Sequence, residues 1–259
     1  MAKQQTAQNG LPAGVAAAWG LRERPGRGPA RGLDVPRIVG AAVALADAEG
    51  LGAVSMSRVA TEVGVSTMAL YRYVEGKDAL LILMEDAAAG TPPPGPAPEE
   101  GWRAGLEHWA RAHRDVLTRH LWMVRIPIST PPLSPHSVEW MELALRCLRG
   151  TGLDAEEKLG VLVTLNGFVR SHVSLFADIA GAGGGEGGAD WEELEPRYWR
   201  LMTQLTATGD FPAITEMLAS GEVDTAFEED GDEGEGTADF EFGLALVLDG
   251  VQALIERRA

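Results

Sequence analysis

One stretch of twenty residues, 55–74, carries the pattern of two short helices joined by a glycine turn. Ser55 and Ser66 each stand before a segment with helical apolar spacing, and serine is a favoured N-terminal cap. Gly64 lies between the segments, where a turn with positive φ costs glycine little. Leu70 and the valines around it can close a small core. The stretch therefore predicts a helix-turn-helix.

The rest of the chain repeats apolar residues at helical spacing and shows no convincing strand, so the predicted fold class is all-α. A first helix is predicted from the cap Asp34, with Pro36 in its first turn and Gly50 as its stop. The proline-rich run 91–98 cannot be regular helix and separates two units. The predicted organisation is a flexible basic arm, a three-helix unit and a larger helical unit, over residues 1–32, 33–86 and 97–259.

The net charge of −16 is unevenly distributed. Residues 1–86 are neutral overall, and the excess of acidic residues lies beyond them. The arm, with Lys3, Arg22, Arg24, Arg27 and Arg31, has a local positive excess that would attract a phosphate backbone. A basic tail with no partner explains the same residues. The charge balance therefore leaves DNA binding open.

Cysteine content and hydropathy indicate the compartment. A single cysteine, Cys147, rules out an intrachain disulfide and suits a reducing cytoplasm. Uninterrupted apolar runs fall short of the roughly 20 residues that a membrane span needs. The predicted setting is cytoplasmic, with no membrane partner.

The second short helix presents side chains suited to reading DNA once Leu70 is buried. Arginine can pair with guanine in two hydrogen bonds, and an alanine or a threonine methyl can contact a thymine methyl. Tyrosine hydroxyls and a lysine at the start of the next helix suit phosphate oxygens. These residues are Thr67, Met68, Ala69, Tyr71, Arg72, Tyr73 and Lys77. Ordinary surface side chains on an interaction helix are the alternative.

Residues 34–85 resemble the DNA-binding domain of the tetracycline-repressor (TetR) family. The resemblance rests on a first helix ending in Gly50, then Val59-Ala60, Gly64-Val-Ser66, Leu70-Tyr71-Arg72-Tyr73 and Lys77. It implies base contacts from Thr67, Met68, Ala69 and Arg72, and phosphate contacts from Met56 or Ser57, Tyr71, Tyr73 and Lys77. Arg58, beside Ser57, is a further candidate from the first short helix.

The C-terminal two-thirds resembles the ligand-binding and dimerisation domain of the tetracycline-repressor subgroup. This implies a homodimer in which the long helix near residues 156–179 and the final helix pair across a two-fold axis. The final helix has an apolar seam that a partner could cover. Packing within one chain is the alternative explanation of the seam.

The predicted effector is a small molecule of unknown identity. Large or polar residues predicted at helix centres could line its cavity. The candidates are Trp102, Trp109, Trp122, Met123, Trp140, Asn166, Phe168, Arg170, His172, Trp199 and Met202. Core packing explains any one of them better than ligand contact does. Arg125, Ile126 and Leu175 stand where the resemblance would place magnesium-chelating residues, so magnesium-tetracycline is rejected as the default effector.

The function predicted is a repressor that a small molecule releases from a palindromic DNA operator. A regulator controlled by a protein partner, or not controlled at all, is the alternative. The five histidines lack metal-ligand spacing, and no nucleophile motif is present. No metal, cofactor or catalysis is therefore predicted.

Overall fold

The computed structural model describes residues 10–21, 33–127, 131–183, 191–220 and 237–258. Every regular element in these ranges is helical, as the apolar spacing predicts. The helices are α1 (Ala13–Ala18), α2 (Val35–Glu49), α3 (Met56–Glu62), α4 (Thr67–Leu70), α5 (Lys77–Ala89), α6 (Gly101–Arg119), α7 (Pro135–Cys147), α8 (Ala155–Gly183), α9 (Trp191–Thr206), α10 (Pro212–Ala219) and α11 (Thr237–Glu256). A 3-10 helix at Leu121–Arg125 follows α6.

Predicted caps start several of these helices. The Asp34 carboxylate accepts the Arg37 backbone N–H at 2.9 Å, and α2 ends at Gly50, whose φ is 79°. At the start of α8 the Asp154 and Glu157 side chains each accept the other residue's backbone N–H, at 2.9 and 3.0 Å. Each cap satisfies a backbone donor that has no partner inside its helix.

The chain divides into two compact units. The first comprises residues 1–173 and 247–259, and the second comprises residues 174–246. In the first unit, α5 packs against α1, α2, α6 and α7, so it joins the N-terminal helices to the following ones. In the second unit, α9 packs against α10. The two units are described separately below.

The prediction that residues 1–32 form a flexible arm is wrong for part of that range. Residues 13–18 form α1, and Val15 is only 3% exposed. Burial of this face against α5 stabilises a six-residue helix that is too short to be stable by itself. The arm's basic residues Lys3, Arg22, Arg24, Arg27 and Arg31 lie outside the described residues.

Helix α8 is longer and more apolar than the sequence pattern suggested. Its segment Ala155–Ile179 has the length and hydropathy of a membrane span, contrary to the prediction that no stretch does. Only 22% of its most apolar window is buried within the protomer. An apolar helix with so little cover from its own chain has an exposed face that another surface can bury.

Candidate DNA interface and effector domain

Helices α2 to α5 form a head in which α3 and α4 make the predicted helix-turn-helix. Ser55 Oγ accepts the Arg58 N–H, and Ser66 Oγ accepts the Ala69 N–H, both at 3.2 Å. Gly64 turns the chain between the two helices with φ of 74°. Leu70 is fully buried, together with Val59 and Ala60. The core beneath α4 therefore holds the recognition segment at a fixed angle.

The opposite flank of α4 faces solvent. Met68 is 76% exposed and Tyr71 45% exposed, and Arg72 is exposed as well. Thr67, Ala69 and Tyr73 are half-buried. The Tyr71, Arg72 and Tyr73 N–H groups donate to the carbonyls of Thr67, Ala69 and Leu70, so helical turns continue past Leu70. These side chains are exposed on a short helix held by a buried core, as residues that contact bases in the major groove are in a helix-turn-helix.

The first short helix offers less to DNA than the resemblance implied. Met56 is 7% exposed, so its side chain belongs to the head's core, and of the predicted pair Met56 or Ser57 only Ser57 offers a side chain to a phosphate. Its apolar side chain is buried because it stands at the first turn of α3, facing the inside. Ser57 is exposed, and its hydroxyl lies 3.2 Å from that of Ser55.

Arg58 is exposed but held by two carboxylates. Its guanidinium donates to Glu49 at 2.7 Å and to Glu62 at 3.1 Å. The hydrogen bond to Glu62, followed by the charge of Glu49, raises the pKa of Arg58. A DNA phosphate would have to compete with both acids for this side chain.

Lys77 is the first residue of α5 and is exposed. Gly76 precedes it with an extended backbone. The first N–H groups of a helix have no acceptor within the helix and favour an anion. Lys77 and these amides therefore carry the positive charge that an anion at this helix start would favour.

Several predicted effector residues form an aromatic cluster on α6 and α7. The Trp109 and His113 ring centroids lie 4.9 Å apart, and Trp140 lies 5.8 Å from Trp109 and 5.3 Å from His113. The Trp109 indole N–H donates to the Trp140 carbonyl, and that of Trp140 donates to the Gly90 carbonyl, both at 2.9 Å. Both indoles are therefore part of the packed core.

His113 brings a polar atom into this cluster. Its Nε2–H donates to Asn166 Oδ1 at 3.1 Å, whereas its Nδ1 is buried and accepts no hydrogen bond from the described residues. Burial lowers the pKa of His113 to about 4, with a smaller contribution from the Arg170 charge, while the Asn166 hydrogen bond opposes the shift. The imidazole is neutral at pH 7.

We expect acid to destabilise the protein through His113. Between about pH 6.5 and pH 4 the unfolded chain binds a proton at this imidazole and the folded chain does not, so stability falls as the pH falls. The loss reaches roughly 3 kcal/mol below pH 4. Urea unfolding across this range checks it, with His113→Gln as the non-titrating comparison. Parallel pH profiles for the two proteins would contradict the assignment.

Arg170 on α8 interacts with the segment after α6 and with α5. Its Nη2 donates to the Met123 carbonyl at 3.0 Å and to the Ile126 carbonyl at 3.4 Å. Burial lowers the pKa of Arg170 and raises that of Glu85 on α5, and the attraction between the two charges opposes both shifts. Glu85 was missed at the sequence level because no spacing pattern relates it to a residue 85 positions away.

Trp122 and Met123, also predicted to face the effector, are core residues at 3% and 5% exposure. The Trp122 indole N–H donates to the Asp47 carboxylate at 2.6 Å, and His120 Nδ1 lies 2.8 Å from the same oxygen. Asp47 belongs to α2, so this carboxylate joins the head to the segment after α6. Sequence spacing contained no sign of this contact.

The remaining effector candidates are more scattered. Trp102 is half-buried on α6, and Phe168 and His172 pack 6.1 Å apart on α8. Trp199 and Met202 lie in the second unit, where Trp199 packs against Tyr198 at 4.8 Å. Within the described ranges, no three histidine, cysteine or acidic side chains are grouped to hold a metal ion.

Exposed apolar side chains mark both helices predicted to pair across a two-fold axis. On α8, Val163 is 72% exposed and Leu159 is 49% exposed. On α11, Phe242 is 69% exposed and Leu246 is 58% exposed. Other residues of α11, including Phe240, Leu244 and Leu248, are fully buried. Each helix thus has a covered face and an uncovered apolar face.

Comparison with known proteins accounts for both halves of the chain. Residues 38–84 match the family "Bacterial regulatory proteins, tetR family", and residues 95–255 match "Tetracyclin repressor-like, C-terminal domain". The chain belongs to the TetR family. This TetR-family protein is 37% identical to the HTH-type transcriptional repressor DrrR1 of Streptomyces coeruleorubidus over 245 residues, which cover 93% of this chain and 85% of the relative.

Solved structures agree with this membership. Apo ActR from Streptomyces coelicolor has a TM-score of 0.70 at 27% identity, covering 88% of this TetR-family protein and 98% of ActR. ActR in complex with actinorhodin has a TM-score of 0.67 at 26% identity, covering 86% and 97%. The predictions of family, all-α fold and regulator class are confirmed. This TetR-family protein is a DNA-binding transcriptional repressor.

Proposed function

We propose that this repressor works in the cytoplasm as a homodimer whose two α4 flanks bind a palindromic operator. The observation that supports this proposal is that Leu70 is fully buried while Tyr71 and Arg72 beside it are exposed. A dimer of this kind presents its recognition helices to half-sites about 34–36 Å apart, one turn of DNA. Effector binding then favours a separation of the heads that the operator does not fit.

Individual contacts follow from the chemistry of the exposed flank. We assign base edges to Arg72, which can pair with guanine, and to Thr67, Met68 and Ala69, which offer apolar contacts to thymine methyls. We assign phosphates to the hydroxyls of Tyr71, Tyr73 and Ser57 and to Lys77. Exposure of Lys77 at the start of α5 supports its role, since its charge there adds to that of the helix amides.

Replacing Lys77 with alanine should weaken operator binding at all sequences alike and reduce the salt slope of log K by about 2, because each protomer of the dimer loses one phosphate contact. Replacing Arg72 with alanine should cost about 1–3 kcal/mol for each half-site and relax the base preference at one position of each half-site. Fluorescence anisotropy with a duplex selected from a random pool measures both.

Thr61→Ala is the control, because Thr61 is exposed on α3 and its hydroxyl donates to the Ser57 carbonyl within the same helix. It should leave both the salt slope and the base preference unchanged. If Lys77→Ala and Arg72→Ala also left them unchanged, the proposed DNA interface would be wrong.

We assign the effector to the aromatic and polar residues around His113. A neutral imidazole with a buried Nδ1 lacks a hydrogen-bond donor there, and an effector hydroxyl would supply one. The packed indoles of Trp109 and Trp140 border His113, so an effector ring that reaches Nδ1 would stack beside them. We therefore propose an aromatic effector with a hydroxyl group, and actinorhodin, with which ActR has been solved, is the first compound to test.

Calorimetric titration of the full chain with actinorhodin tests this assignment. We expect binding, release of the selected duplex, and a loss of affinity of about tenfold in His113→Leu, because one buried hydrogen bond is worth about 0.5–1.5 kcal/mol. His136→Leu is the matched control, since its imidazole contacts Asp86. Absence of binding by this and related hydroxylated aromatics would favour control by a protein partner.

A further inference from the structure

Helix α1 is docked closely on α5. A Cβ built on Gly14 would lie 3.0 Å from the Cα and carbonyl oxygen of Ala79 and from Cβ of Ile82. These distances are tighter than nearly all real Cβ contacts, and two of the three atoms are backbone, which gives way less easily than a side chain. The neighbouring Val15 is 3% exposed. The fit favours glycine at this position.

The other end of α1 is tied to a different part of the fold. The Trp19 indole N–H donates to the Leu133 carbonyl at 2.7 Å, just before α7 begins. Nearly half of the Trp19 side chain is exposed, so the hydrogen bond, rather than burial of the ring, marks this contact. A helix of six residues therefore joins α5 to the segment that leads into α7.

Helix α5 is one of two elements through which the head meets the following helices, and the other is α2 at Asp47. The first residue of α5, Lys77, comes four positions after Tyr73 in the sequence. Its last turn is held to α7, where the His136 backbone N–H donates to Asp86 Oδ1 at 2.8 Å and the Trp140 indole donates to the Gly90 carbonyl at 2.9 Å. The α1 contact at Ala79 and Ile82 lies between these two ends.

We propose that α1 is a brace that sets the angle of the head, with Gly14 and Trp19 as its positioning residues. The inference rests on the proposed operator-binding homodimer. Without the brace, the head is tied to the following helices by the last turn of α5 and by Asp47, which bonds to the segment after α6. With α1 in place, α5 is held at a further point nearer its N-terminal end, which limits tilting of the head.

A brace of this kind has a consequence that simple stabilisation lacks. One base pair inserted at the centre of an operator moves the half-sites about 3.4 Å apart along the axis and rotates one relative to the other. Braced heads cannot follow this change, so the unaltered protein should bind the altered spacing poorly. Heads free to tilt should tolerate it.

The test uses the full chain and a palindromic duplex that the unaltered protein selects from a random pool. Its affinity is compared with that for duplexes carrying one base pair more or one fewer at the centre. In Gly14→Leu the penalty for altered spacing should shrink about threefold or more, within the roughly 2–30-fold range of measured coupling effects. Trp19→Phe keeps an aromatic ring, removes the hydrogen bond and should shrink the penalty less.

Gly40→Leu is the matched control, because Gly40 is exposed on α2 and a Cβ there meets nothing within 4 Å. Its spacing penalty should equal that of the unaltered protein. Equal penalties in Gly14→Leu and Trp19→Phe would overturn the brace, even if either variant melts at a lower temperature. Failure of the unaltered protein to select any duplex would instead overturn the proposed operator binding.

Discussion

Replacing Leu70 with alanine is expected to lower the free energy of unfolding by about 2–5 kcal/mol, because the change leaves a cavity under a fully buried side chain. Leu70 is the last residue of α4, and its anchoring keeps the reading flank in place. Operator affinity should therefore fall even well below the melting temperature. Urea unfolding measures the first effect and anisotropy the second.

The adjacent Met68→Ala change separates these two effects. Met68 is 76% exposed, so its truncation should alter stability by no more than about 0.5 kcal/mol. It should weaken the operator complex only through its own base contact. A Leu70→Ala protein as stable as Met68→Ala would show that α4 is not anchored through the core described above.

Introducing a charge on the uncovered face of α11 is expected to separate the proposed homodimer. In Phe242→Asp, two-fold symmetry places the new carboxylate in the interface twice, and an uncompensated buried charge costs about 3–5 kcal/mol. The dimer dissociation constant should rise at least about a hundredfold. Val163→Asp on α8 should act alike. Sedimentation velocity measures the mass of each variant.

Leu121→Asp is the control for this experiment, because Leu121 is also exposed, at 45%, and lies outside α8 and α11. It should leave the dimer intact. Operator affinity should fall with dimerisation in the two interface variants, since each protomer alone reads one half-site. Dimers that persist in both would show that the apolar seam of α11 serves another purpose.

The helix-turn-helix could be predicted because its signals are local. Ser55 and Ser66 bond to N–H groups three residues ahead, and Gly64 needs only its own backbone angle. The reciprocal cap of Asp154 and Glu157 is equally local. Interactions that close within one helical turn leave a spacing in the sequence, and the two serine caps and the glycine turn were predicted from it.

Interactions between distant segments leave no such spacing. The candidate effector residues were chosen for size and helix position, and four of them, Trp109, Trp122, Met123 and Trp140, are packed in the core. A tryptophan in a cavity wall and one in a core have the same apolar pattern. The partners Asp47 and Glu85, which hold Trp122 and Arg170, became evident only from the fold.

By itself, the sequence determined the helical class, the position of the reading head and which of its faces Leu70 would bury, because caps, glycine turns and apolar periods act over a few residues. Only tertiary structure decided that Met56 lies inside the head, that Arg58 is held by Glu49, and that α1 docks at Ala79. Those outcomes depend on which surfaces meet once the helices pack. No local sequence pattern specifies which helix surfaces pack together, because the partner of a side chain depends on shape and burial across the whole unit.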